Sequence, residues 1–194
     1  MAVALADNYT LVLTDNHDVI QTHKVVIAAN GRLALPVLML KDKMFGGEHV
    51  IMVAANFGNC ACVTKEGSVW AWGAALCRES GTEWPPVLIS TSSAVPVSPY
   101  VTVTSSPAVM VTCYTDGIVF LTADGCARQR SLNDIFSNAQ TIGVPTVDCY
   151  PSPWFNSIRI EMIASGKGHV MALGKLSSIL PPVSHRLLNG GVNA

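Results

Sequence analysis

The sequence predicts an all-β fold, an incomplete β-propeller of about three to four blades of antiparallel strands with little helix. Three observations carry this. Short apolar runs around a turn recur about fifty residues apart. In two of the copies the turn holds an acidic residue followed by glycine, which accepts the positive φ of a tight hairpin. The segments between them are marked by proline (Pro85, Pro86, Pro96, Pro99, Pro145, Pro151, Pro153) and show little helical periodicity. Charged residues are 13% of the 194 and mean hydropathy is +0.38, so the chain has apolar content for a core and falls outside the disordered class.

The best-formed copy is "IMVAANFGNCACVTKEGSVWAWG", Ile51–Gly73, with its turn at Gly67. Laying Gly67 over Gly117 places it on "VTVTSSPAVMVTCYTDGIVFLTA", Val101–Ala123, so that Thr64-Lys65-Glu66-Gly67 meets Tyr114-Thr115-Asp116-Gly117 and Val69-Trp70 meets Val119-Phe120. The same fifty-residue offset backwards sets Thr14-Asp15-Asn16-His17 on the turn and Val19-Ile20 on the strand after it. A fourth copy, "IEMIASGKGHVMALGKLSSI", Ile160–Ile179, fits with His169 over Asn59 and has Ser177 where the turn glycine stands. The expected organisation is one domain, 1–194, with repeats near 3–50, 51–100, 101–157 and 158–185 and a flexible tail at 186–194.

The rest of the chain fits this reading. "KVVIAANGRLALPVLMLKDK", Lys24–Lys43, is the longest apolar stretch, but Asn30, Gly31, Arg32 and Pro36 break it into a buried hairpin, not a membrane span. "SLNDIFSNAQ", Ser131–Gln140, is the best helical candidate, of one or two turns. The N-terminus lacks the basic segment of a secretory signal, and the sequon Asn8-Tyr9-Thr10 carries little weight without one. Six cysteines (Cys60, Cys62, Cys77, Cys113, Cys126, Cys149) form no CxxC pair; Cys60 and Cys62 share one strand face and cannot bridge each other, so buried thiols in a reducing compartment are expected.

At this point the residues resemble a known family. "IASGKGHVMAL", Ile163–Leu173, and "VAANFGNCACVTKEGSVWAWG", Val53–Gly73, are similar to repeats of the regulator of chromosome condensation family. That grammar runs Gly, two residues, His, four on to Leu, then acidic-Gly, an apolar residue, an aromatic and Trp-Gly. Copy four matches with Gly166, His169 and Leu173, and copy two with Val63, Gly67, Val69, Trp70, Trp72 and Gly73. Copy two has Asn56 and Asn59 in place of Gly and His, copy three has Val109 at the His place, and the Gly-Gln-Leu-Gly that follows Trp-Gly in the family is replaced by "AALCRESG". The resemblance implies a seven-bladed ring, which about three and a half copies do not close. Such a chain is a fragment, a degenerate product, or a piece that meets partner blades, and its end blades carry open edges. A kelch propeller fits less well, because Gly46-Gly47 precedes a strand where kelch glycines end one.

No residue reads as catalytic, cofactor-binding or metal-ligating. The string "GKGH" around His169 lacks the GxxxxGK[ST] spacing of a phosphate loop, and no GxSxG, HExxH or dinucleotide fingerprint occurs. "TDNHD", Thr14–Asp18, is a polar hairpin turn, and the carboxylates are scattered. Gly58, Gly67, Trp70, Trp72, Gly73, Gly117, Phe120, Gly166, Gly168 and His169 are assigned to the build of the repeat, with His169 packed within its blade, as the resemblance implies. Partner-binding loops are placed at Arg78, Glu79, Glu83, Trp84, Arg128 and Arg130. With net charge −1 and no basic run, a nucleic-acid partner is not indicated. The expected function is a non-enzymatic protein–protein interaction module of the cytoplasm or nucleus, whose partner is a small GTPase or further blades from another chain. The alternative implied by the resemblance is a guanine-nucleotide exchange factor, or part of one, for a Ran-like GTPase.

Overall fold

A computed structural model describes residues 1–7, 9–23, 26–27, 33–34, 37–73, 86–92, 101–115, 117–131, 148–150 and 158–176. Among them the secondary structure is strand throughout, apart from one 3-10 turn. In blade one, β1 (Ala2–Leu5), β2 (Tyr9–Leu13) and β3 (Val19–His23) pair antiparallel in sequence order. The expected Lys24–Lys43 hairpin is subdivided. β4 (Val26–Ile27) and β5 (Leu33–Ala34) pair with each other, while β6 (Val37–Leu40) joins β3, turning Leu38 and Leu40 to the core and leaving Val37 and Met39 exposed, so only one face of this strand is buried. A 3-10 turn at Asp42–Phe45 then drops Phe45 into the core.

Blade two follows as β7 (Val50–Asn56), β8 (Asn59–Thr64), β9 (Val69–Gly73) and β10 (Val87–Thr91), extended by β11 (Thr102–Val103) in parallel. Blade three is β12 (Ala108–Tyr114), β13 (Gly117–Thr122), β14 (Ala127–Ser131) and β15 (Asp148–Tyr150), and β16 (Ile158–Ser165) with β17 (Val170–Leu176) begins blade four. β7 lies against β1 and β2, β12 against β7 and β8, and β16 against β12 and β13, which is the face-to-face blade stacking of an incomplete propeller.

Strand register sets copies one and four against copy two at the expected offsets and moves copy three. The turn Thr14–Asp18 is built like Thr64–Ser68: in each, the amide of the first residue donates to the carbonyl of the fifth and the amide of the fourth returns to the carbonyl of the first. His17, at φ 65°, takes the place of Gly67 at φ 84°. The same construction recurs at Thr122–Cys126, with Gly125 at φ 86°, and not at Tyr114–Gly117. Gly125, fifty-eight residues after Gly67, is therefore its counterpart, whereas Gly117 begins β13 directly after the first turn of blade three. A register shift at Ile51, between Val50 and Met52, recurs at Val109 and at Glu161. Copy four thus stands at the predicted register and copy three does not.

Side-chain alternation gives every blade two faces. In blade two, Cys60, Cys62, Trp70 and Trp72 face blade one. Trp72 Nε1 donates to Gln21 Oε1 at 2.8 Å, and Phe45 meets Trp70 edge-on at a centroid distance of 6.1 Å. Ala61, Val63, Val69 and Ala71 turn toward blade three, where Val111, Cys113, Ile118 and Phe120 complete one continuous core. A smaller cluster of Val119, Leu121, Ala127, Ile160 and Ile163 joins blades three and four.

Candidate interaction surface

The corrected register changes what the predicted site residues do. Trp70 and Trp72 correspond to Arg128 and Arg130, which lie in β14 and not in a loop. Arg130 is 1% exposed beside Ile118 on the face turned to blade two, so it is removed from the candidate binding loops. Phe120 holds the position of Cys62, not of Trp70. Trp72 is core and Trp70 half-buried. Arg78, Glu79, Glu83 and Trp84 lie outside the described residues, as does the helical candidate from 132 onward.

Gly67 lies in the second turn of blade two, whereas Gly58, Gly73, Gly117, Gly166, Gly168 and His169 lie at or beside the first turns of the blades. Gly58 and Gly73 meet across blade two, so closely that a Cβ on Gly73 would run into the Gly58 carbonyl. Asn56 and Asn59, which stand where the family has Gly and His, reach out of their blade. Asn56 Nδ2 donates to the carbonyls of Cys113 at 2.9 Å and Gly166 at 2.8 Å. Asn59 Nδ2 donates to those of Tyr114 at 3.0 Å and Thr115 at 2.9 Å. His169 is exposed, with its ring against Gly166, instead of being enclosed in its blade; Gly168 has open space beside it.

These ties draw three turns into one rim. The Thr115 amide donates to the Lys167 carbonyl at 2.9 Å, and the Lys167 ammonium sits 4.9 Å from the centroid of the Phe57 ring. Phe57 is 43% exposed and holds φ at 50°, a region costly for an aromatic residue. The Phe57 ring is thus exposed, held at a costly backbone conformation and edged by a positive charge. Single-sequence reading missed it, because "NFGN" looks like any two-residue hairpin turn.

No group of three or more metal-ligating side chains is placed to hold an ion among the described residues, and no described helix is long and apolar enough to cross a membrane. Cys60, Cys62, Cys113 and Cys126 are thiols and not disulfides. Burial pushes the Cys62 and Cys113 thiols well above their ordinary range, with the other buried thiols adding to the effect. Because the thiolate is the nucleophile, mildly alkaline iodoacetamide is expected to leave both unmodified in the native chain and to label both in urea. Peptide mapping that found equal labelling in the two conditions would contradict the burial.

No protein-family model and no curated protein matches the sequence. Solved structures do match. Human WBSCR16 is 18% identical with a TM-score of 0.60, covering 90% of this chain and 45% of that one. Prp20p from Saccharomyces cerevisiae, solved in a study of its binding to Gsp1p and histones, is 12% identical with a TM-score of 0.59 over 92% of this chain and 44% of that one. Yeast RCC1 (Prp20) bound by Kap60 is 19% identical with a TM-score of 0.59, over 90% and 41%. The fold is therefore the β-propeller of the regulator of chromosome condensation type, and this chain spans less than half the length of these matched chains.

Proposed function

We propose that the chain is a protein-binding module with no catalysis of its own, and that the rim of first turns at Phe57, Thr115 and Lys167 is its partner-facing surface. The observation that carries this is the strained, exposed Phe57 beneath the Lys167 ammonium. A hairpin with no task there would accept glycine at position 57 at lower conformational cost. Support for a protein ligand comes from the yeast neighbour, whose structures concern Gsp1p, histones and Kap60. Buried thiols accord with a reducing compartment, and we assign the protein to the cytoplasm or nucleus.

The test uses Gsp1p, Kap60 and core histones as immobilised probes for the whole chain. Saturable binding to at least one is expected, weakened at least tenfold by Phe57→Gly, a change that relieves the φ strain and leaves thermal stability equal or higher. Binding to none of the three would sink the proposal, as would a Phe57→Gly chain that binds undiminished. Labelled GDP on Gsp1p is expected to dissociate at its intrinsic rate; acceleration by this chain would replace the module reading with that of an exchange factor.

A further inference from the structure

The second turn of blade one departs from those of blades two and three. His17 stands at φ 65° where Gly67 and Gly125 stand at 84° and 86°, a conformation that glycine holds at lower cost. Its imidazole also takes over a contact that the backbone makes elsewhere. Between blades two and three the Ala108 amide donates to the Gly67 carbonyl, and between three and four the Ile160 amide donates to that of Gly125. At Val50, which holds the register position of Ala108, the carbonyl accepts from His17 Nδ1 at 2.9 Å. A second imidazole lies against the first. The rings of His17 and His49 are 4.9 Å apart at their centroids and 29° from parallel. His49 Nδ1 donates in turn to Asp42 Oδ2 at 2.8 Å. Both Nδ1 atoms therefore carry the proton of the neutral ring, and both Nε2 atoms keep a lone pair.

We propose that the two Nε2 atoms hold one divalent transition-metal ion, of the zinc class, across the joint between blades one and two. One imidazole is fixed by a carboxylate and the other by a backbone carbonyl. That outer shell sets tautomer and orientation in metal-binding histidines and makes Nε2 a better ligand. Spacing agrees, because two imidazoles bound to one ion at about 2.1 Å keep their centroids about 5 Å apart. Imidazole selects zinc, copper and nickel over magnesium and calcium, which take oxygen ligands. Local charge suits a cation. Asp42 Oδ1 is buried without a hydrogen-bond partner among the described residues, while Asp18 and Lys41 offset each other at 4.0 Å. His49 is exposed and His17 half-buried, so an ion can enter from solvent and water can complete its coordination. Two protein ligands make an exchangeable site, one that tightens the blade joint when loaded. It lies at the second turns, at the opposite end of the strands from Phe57, and is independent of what binds there.

Isothermal titration of zinc chloride into the whole chain, stripped with a chelator and kept reduced, is expected to show saturable binding of an ion. His17→Gly and His49→Gln each remove one ligand and should weaken that binding at least tenfold. Glycine is the residue of the other two turns at this φ, so His17→Gly relieves the backbone and should leave circular dichroism unchanged. Zinc should raise the thermal midpoint of the wild-type chain and leave that of the His17→Gly chain where it is. A wild-type chain that binds no zinc overturns the proposal. Binding that survives both substitutions undiminished also overturns it, since the ion would then sit on other groups. Loss in one variant alone means that a single imidazole takes the ion, and the shared site is wrong.

Discussion

Replacing Gly67 with alanine is expected to cost about 3 kcal/mol or more of stability, against about 1 kcal/mol for the same change at Gly47. Both glycines sit near the same φ, 84° and 85°, so the backbone strain introduced by a side chain is common to both. They differ in what the new methyl meets. At Gly47 it enters open space. At Gly67 it would sit 2.7 Å from Pro107 Cα and 2.9 Å from Ala108 N, and closer still to Pro107 Cβ, atoms that lead into the first strand of the next blade. The turn cannot retreat without breaking the hydrogen bond from the Ala108 amide to the Gly67 carbonyl at 3.1 Å. Gly125 repeats this bond to Ile160 at 3.1 Å, so the turn glycine joins a blade to its successor as well as reversing its own hairpin. Urea titration of both variants decides the matter, and equal losses would show that the blade-to-blade approach yields freely.

That second role explains which parts of the fold could be read from sequence. A Thr-x-x-Gly turn between apolar strands is a local pattern, so copies one and two were legible even with His17 in the glycine position. Copy three misled because its blade contains two Asp-Gly turns, ending at Gly117 and Gly125, and period alone does not distinguish the first turn of a blade from the second. Aromatic markers pointed the wrong way as well. Blade two builds its inward face from a small Cys62 opposite a large Trp70, whereas blade three sets a large Phe120 opposite Arg128. The bulky group has moved to the neighbouring strand on the same face, which preserves the packing while erasing the alignment. The contact of His17 with His49 was beyond sequence reading for a different reason. His17 reads as part of its own polar turn, and only the stack of blade one on blade two sets His49 against it.

Asn59→Asp is expected to cost about 3 kcal/mol or more, although it changes the side-chain volume very little. Asn59 is completely buried, and its Nδ2 bridges the carbonyls of Tyr114 and Thr115 in the next blade. A carboxylate at that place turns two donated bonds into two oxygen–oxygen repulsions and buries a charge far from water. Asn59→Ala removes the same two bonds without adding charge and should cost about 2 kcal/mol, so the difference between the variants isolates electrostatics from lost contact. The sign with pH follows. Burial raises the folded-state pKa of the introduced carboxyl above its unfolded value, so the penalty is absent while both states are protonated and grows as pH rises through the carboxylate range. The Asn59→Asp chain should therefore approach the Asn59→Ala chain in stability on acidification, measured relative to wild type at each pH. Equal stability of the two variants at neutral pH would mean that position 59 opens to water and that the tie between blades two and three is not the closed, dry contact on which the rim depends.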